Sequence, residues 1–541
     1  MTVAVLKRSS LAVMMTLTLA ACGGGGSSSS SNGSDNSGGE PVTPVVNCSS
    51  ATDAPAACDV RMYQVMVESF VNGDDSINYN VGYGPSNHKG DLQGVIDSLD
   101  YIKSLNVNAI WLTPFFDSCK SSVTDKQLAA TGYFACDYFN VDPNFGTNQK
   151  LKELVDAAHA KGLYVILDGV FGHAITNNLP AAPISGVKPV MGKASTGYTV
   201  DYTQADSTTY FTEVATHYIT EYGIDGWRLD QAYQVPTKTW NSIRTAVEAA
   251  AAKRKAGGET WGTLGYMVGE VWQGEAEIVT NAYGSASLPG LKSAFDFPLR
   301  YGLVQTLGVE ESASGGKGDV TLLYASWNDG DVNPEFAMPN LMLANHDLVR
   351  FGDLLQRGKL AEPSDSAYWA RHKAAFSFMA SRSGPITFYY GDEIGDQLDG
   401  YAAKVTTNCA SLGVCDDHVS RTTAKIEGVT GFSPSADQAD LKEYLSQLLS
   451  VRSLHPALYA GKRTQLKKSE NIYAELKTAG DDKVLYVLNA GTSDTTYTVA
   501  SSAIGGTKDL TNLMTGSVVA LADSQYQITV PALSGLLLSV K

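Results

Sequence analysis

Two charged residues sit beside a run that otherwise reads as a buried strand. In Gly223-Ile-Asp-Gly-Trp-Arg-Leu-Asp-Gln-Ala-Tyr-Gln-Val235, an apolar strand from Ile224 to Leu229 carries Arg228 and is followed at once by Asp230. The strand period of two turns Arg228 and Asp230 to one side and Trp227 and Leu229 to the other. A guanidinium beside a carboxylate keeps it ionised and fixes its direction. Such a carboxylate can serve as a nucleophile; the same pair fits a structural ion pair at a barrel rim equally well. Other strand-like runs end in groups of the same kind. Leu163 to Asp168 ends in an acid with His173 just beyond, Gly265 to Glu270 ends in Glu270, and Leu341 to Asp347 ends in His346-Asp347. One acid at a strand end is ordinarily a cap or a loop hydrogen-bonder. All of these groups falling on one face of one barrel by chance is improbable.

The frame that gathers them is an alternation of strands and helices. Strands are expected in Asp59–Phe70, Val107–Pro114, Leu163–Asp168, Ile224–Leu229, Gly265–Glu270, Ala294–Phe297, Leu341–Asp347 and Pro385–Tyr390. Helices are expected from Asp91 as a cap, over Asn148–Lys161, Ser207–Tyr222, Pro236–Lys255, Ala367–Arg382 and Leu441–Leu454. Alternation of this kind means a parallel sheet, and eight strands close a barrel whose chemistry sits at the C-terminal strand ends. The fold class is therefore α/β. A (β/α)8 TIM barrel spans 48–456, with a small subdomain inserted after strand three at about 174–205. Residues 457–541 turn to short alternating runs with Gly, Thr and Ser turns, which predicts a C-terminal antiparallel β-sandwich domain.

Composition narrows the function. A net charge of −16 argues against nucleic acid as a partner and is compatible with a neutral substrate. Residues 1–22 read as an export signal: Lys7-Arg8, then an apolar Leu11–Ala20, then Leu19-Ala20-Ala21-Cys22, which resembles a bacterial lipobox. Cys22 is then the lipidation site, and the Gly/Ser-rich 23–47 a flexible tether. No aspartate follows Cys22, so the expected location is an exported lipoprotein of the outer membrane. The loop Asn72, Asp74, Ser76, Asn78 places oxygens at alternate positions, as a calcium site or a plain Asx turn would. No organic cofactor is expected.

The strand-end motifs resemble those of the alpha-amylase family of glycoside hydrolases. Asp168-Gly-Val-Phe-Gly-His173, Gly226-Trp-Arg-Leu-Asp230, Val268-Gly-Glu270 and Asn345-His-Asp347 follow the family's order. Gly90-Asp-Leu-Gln-Gly94, Trp111-Leu-Thr-Pro114 and Tyr389-Tyr-Gly-Asp-Glu393 match flanking phrases. The resemblance implies Asp230 as nucleophile, Glu270 as general acid/base and Asp347 as transition-state carboxylate. It implies that Arg228 orients Asp230, that His173 and His346 bind the sugar with Asp168 nearby, and that the sugar stacks on Tyr133. The implied activity is retaining hydrolysis of α-1,4 bonds in starch or maltooligosaccharides. The alternatives are a cyclomaltodextrinase, neopullulanase or 4-α-glucanotransferase activity, and an α-glucan-binding protein on an inactive barrel. Trp272 offers either a stacking face or plain packing. Two departures stand out. Many members have Asn, a calcium ligand, where Gly172 stands, and Lys-His where this chain continues Gln231-Ala-Tyr-Gln234.

Seven cysteines less Cys22 leave six, and local pairing gives Cys48–Cys58, Cys119–Cys136 and Cys409–Cys415. Denaturing thiol titration of the protein carrying Cys22→Ser is expected to find no free thiol; six titratable thiols would refute the pairing.

Overall fold

The computed structural model describes residues 47–49, 55–81, 85–86, 88–119, 126–323, 333–400 and 419–541. Strands β1 (Arg61–Val65), β2 (Ala109–Leu112), β3 (Tyr164–Gly169), β4 (Gly226–Leu229), β5 (Tyr266–Gly269), β6 (Ser293–Ala294), β7 (Leu341–Met342) and β8 (Ile386–Tyr389) form one sheet. Their order is β6-β5-β4-β3-β2-β1-β8-β7, and each neighbouring pair is parallel. A parallel bridge from Phe295 to Asn340 joins the two ends, which makes the sheet a (β/α)8 barrel.

The period of two divides each strand between two cores. Met62, Ala109, Trp111, Ile166, Val268, Phe295 and Met342 fill the barrel interior. Tyr63, Val65, Ile110, Leu112, Val165, Leu167, Trp227 and Leu229 belong to a second core shared with the helices. Burial on both sides explains the near-continuous apolar runs. Stepping by two along the inward row, Met62 leads to Gln64, Ile166 to Asp168 and Val268 to Glu270. Polar groups thus begin where the inner packing ends, at the C-terminal mouth.

Local chemistry trims the expected elements. Asp91 is the predicted cap: its Oδ1 accepts from Gly94 N at 2.8 Å. The helix it starts breaks at Ser98 into Leu92–Asp97 and Leu99–Ser104. The Ser98 hydroxyl bonds Gly94 O, the back-bonding that bends helices. The predicted strand over Ala294–Phe297 is corrected to two residues. Asp296 caps a helix at Phe297–Leu307 by accepting from Leu299 N, with Pro298 in its first turn. The strand expected through Asp347 ends at Met342, because Asn345 Oδ1 captures the N–H groups of Asp347 and Leu348 in a turn. The helix expected from Leu441 begins at Ala436, set by a capping box between Ser435 and Gln438.

The predicted insertion folds as a three-stranded antiparallel sheet of His173–Ala174, Tyr198–Val200 and Met191–Lys193. At the C-terminus, β9 (Lys462–Ser469), β10 (Ile472–Ala479), β11 (Asp482–Asn489), β12 (Thr495–Ala500) and β13 (Leu510–Asn512) are followed by β14 (Val518–Val519), β15 (Leu521–Ala522), β16 (Gln525–Val530) and β17 (Ser534–Ser539). They form sheets of order β9-β10-β11-β17-β13-β14 and β12-β16-β15. Ile472, Leu485, Tyr497, Tyr526, Ile528 and Leu538 pack between the sheets, as a sandwich requires. The other face of β10 and β11 meets the barrel. Arg382 pairs with Glu475, Lys477 donates to Ser383, and the hydroxyls of Tyr486 and Ser377 meet at 2.9 Å. The Cys48–Cys58 and Cys119–Cys136 disulfides are present. Cys409, Cys415, Cys22 and the rest of the export signal and tether up to residue 46 lie outside the described residues. No described helix is long and apolar enough to cross a membrane.

Candidate active site

Arg228 on β4 is fully buried and sits among the acids of three adjacent strand ends. Its Nη1 donates to both Asp168 oxygens at 2.8 Å and to Asp230 Oδ1 at 3.2 Å. Its Nη2 lies 2.8 Å from Glu270 Oε2, an ion contact without an aligned N–H. The guanidinium also lies 5.0 Å from the Trp111 ring centroid, a cation–π contact. β3, β4 and β5 are neighbours in register, Asp168 opposite Arg228 and Arg228 opposite Val268. That register is why one cation reaches all three acids.

One positive charge does not neutralise three carboxylates in a dry site, so protons are retained. Burial pushes Glu270 up to about 7; Arg228 opposes, and Asp230 and Asp347 push the same way as burial. Burial likewise raises Asp168 to about 6 against the pull of Arg228. Asp230 is raised by burial and pulled back by Arg228 and His173.

Asp347 is differently placed, with a side chain 27% exposed. Burial pushes its carboxyl up, but His346, Arg421 and Arg228 outweigh that and hold it below its ordinary value. Arg421 Nη2 donates to Asp347 Oδ1 at 2.8 Å, and its Nε to His346 O at 3.0 Å. Burial drives His346 down to about 3, so the ring is neutral at pH 7. Gln64 Nε2 faces its Nδ1 at 2.7 Å, which puts the ring proton on Nε2. That nitrogen lies 2.7 Å from the Tyr133 hydroxyl and 3.2 Å from Asp347 Oδ2. Tyr133 stacks on the His346 ring at 5.4 Å and donates to Asp168 at 2.9 Å. His173 is held from both ends, Nδ1 by Gln234 Oε1 at 2.9 Å and Nε2 by the Tyr133 carbonyl at 3.0 Å.

The structure therefore brings together Asp168, Arg228, Asp230, Glu270, Asp347, His346, Tyr133 and His173. The loop of Asn72, Asp74, Ser76 and Asn78 is separate from this contact network. Asp74 Oδ1 accepts both the N–H and the hydroxyl of Ser76, an Asx turn, and the Asn72 amide donates to Asp75. Asp74 Oδ1 is engaged within its own loop, and Gly172 brings no side-chain ligand. Sequence reasoning missed Arg421, Gln64 and Gln234 as supports. Gln64 carried a signal, a polar residue inside an apolar strand. Trp272 is 41% exposed, stacked at 5.6 Å on Phe297 and donating to the Tyr301 hydroxyl.

Removing one partner of a buried ion pair costs about 3–5 kcal/mol. Arg228→Met is expected to lower unfolding free energy by about that much at pH 7 in urea melts. The loss should shrink near pH 5, where the raised carboxyls take up protons. An unchanged melt would count against Arg228 as the hub.

Comparison with known proteins identifies the family. The profile of the alpha amylase catalytic domain matches residues 64–180 and 194–446. A cyclomaltodextrinase of Geobacillus thermopakistaniensis (strain MAS1) is 26% identical over 536 residues, covering 89% of this chain and 77% of the relative. Neopullulanase 2 of Thermoactinomyces vulgaris is 25% identical, covering 89% and 78%. Among solved structures, AmyP in complex with maltose superposes with a TM-score of 0.84 at 50% identity, covering 90% of this chain and 97% of that one. The chain belongs to the alpha-amylase family of glycoside hydrolases.

Proposed function

We propose that this glycosidase hydrolyses α-1,4 bonds of starch or maltooligosaccharides with retention of configuration. The observation that carries the reading is one guanidinium in contact with both Asp230 and Glu270, while Glu270 keeps its proton to about pH 7. Retention needs one ionised and one protonated carboxyl flanking the bond. Asp230, beside Arg228, attacks the anomeric carbon, and Glu270 gives its proton to the departing glycosidic oxygen. The C–O bond to the leaving sugar breaks as the Asp230 ester forms. Water then attacks that carbon, Glu270 takes its proton back, and Asp230 leaves as carboxylate. Asp347, held ionised by Arg421, stabilises the oxocarbenium-like transition state. His173 and the neutral His346 bind sugar hydroxyls, Tyr133 supplies a stacking surface, and Asp168 fixes Arg228.

A second reading, a cyclomaltodextrinase or neopullulanase activity, is favoured by the names of the relatives. The leaving-group side is the place to look for the difference. There the Gln231-Ala-Tyr-Gln234 turn, whose Gln231 N–H donates to Glu270, stands where many alpha-amylases carry lysine and histidine. A 4-α-glucanotransferase differs only in that a sugar hydroxyl replaces water at the second step.

Product profiles on starch, pullulan, maltoheptaose and cyclodextrin, with the anomer read by NMR, test this. The expected result is an α-anomeric product and activity that falls above pH 7, as Glu270 loses the proton it must donate. Asp230→Asn is expected to abolish turnover with an unchanged circular dichroism spectrum. A β-anomeric product would overturn the scheme. We further propose that Cys22 carries the lipid that holds the enzyme at the outer membrane. Cys22→Ser should move the protein from the membrane to the soluble fraction and abolish palmitate labelling; unchanged fractionation would refute the anchor.

A further inference from the structure

Gly172 precedes His173 in the loop after β3. Its φ is not positive, so the backbone there does not call for glycine. What calls for it is space. A Cβ on residue 172 would fall on Gln234 Oε1 and within 2.6 Å of Gln234 Cβ. The second of these is rooted in the backbone and cannot swing aside. Gln234 ends the turn after β4, a 3-10 segment over Ala232–Gln234. Its side chain fills the room that Gly172 leaves, and its Oε1 grips His173 Nδ1 at 2.9 Å.

The same amide reaches the other way. Gln234 Nε2 donates to Gln231 Oε1 at 2.9 Å, and Tyr233 donates to that oxygen at 2.6 Å. Gln231 takes a left-handed conformation, φ +40°, uncommon for a residue with a side chain. These two bonds fasten its side chain, the Gln234 N–H donates to its carbonyl at 2.8 Å, and its own N–H donates to Glu270 Oε2, 3.1 Å away. Ala232 N–H donates to the Glu270 carbonyl at 2.8 Å. A continuous set of hydrogen bonds thus runs from the Glu270 carboxyl, through Gln231 and Gln234, to His173 at the root of the inserted sheet.

We infer that Gln234, seated in the space left by Gly172, is a positioning residue that sets His173 and the Glu270-bound Gln231 turn as one unit. Gly172 and Gln234 are then a matched pair, each explaining the other. The inference rests on the reading of Glu270 and His173 as acid/base and sugar ligand.

Three variants test it. Gln234→Met keeps the volume and removes the hydrogen bonds. Loss of both links predicts a fall in kcat/KM of about thirtyfold on maltoheptaose. Both kcat and KM should move, through Glu270 and His173 respectively, with little change in thermal midpoint. Gly172→Ala should cost at least as much, because it expels Gln234. Gly172→Ala combined with Gln234→Gly should be no worse than Gln234→Gly alone, since both atoms that clash with the new Cβ are gone. Additive losses, or kcat/KM unchanged in Gln234→Met, would overturn the pairing. A parent enzyme that cleaves no α-glucan fails the functional reading instead. The coupling of the two sites is then read from thermal midpoints and maltotriose affinity, where additivity again refutes it.

Discussion

A cation buried among three acids governs this active site. Arg228 and Asp168 are wholly removed from water, and Asp230 and Glu270 nearly so. None of the four is tolerable there alone. Together they leave an excess of negative charge that burial turns into retained protons, and Glu270 keeps one up to about pH 7. Glu270 and Asp230 thus sit in unlike surroundings, although both are ordinary carboxylic acids.

The barrel makes this possible by being short. Strands of four to six residues carry the inward acids within one residue of their C-terminal ends. The apolar interior of Trp111, Ile166, Val268 and Phe295 lies beneath, shielding the ions from one side. Asp347 stands apart because its strand is cut after Met342, and Asn345 turns the chain so that Asp347 reaches partly into solvent. Its partner Arg421 comes from a segment beyond the barrel's last strand. One acid is therefore held by the barrel framework and another by a loop.

Much of this was legible in the residues. The period of two put Arg228 and Asp230 on one side, and the strand-ending acids converge as their positions implied. What escaped did so for physical reasons. Ala294 to Phe297 is apolar enough for strand or helix, and Asp296 decides through a cap that periodicity does not register. Arg421 lies far from Asp347 in the chain, so its role exists only through tertiary packing. Gln234 looked like a departure from a pattern; its meaning appears only when Gly172 is seen against it.

The strand β10 has its own consequence. Its odd face, Tyr473, Glu475 and Lys477, is as deeply buried as its even face, yet it holds a carboxylate and an amine whose charge burial opposes. Those groups are answered by Arg382 and Ser383 at the end of a barrel helix. A cut between barrel and sandwich would strand ions on both fragments in what had been a dry seam. The C-terminal sheets are therefore no cartridge to be exchanged between relatives; the two halves have to change together.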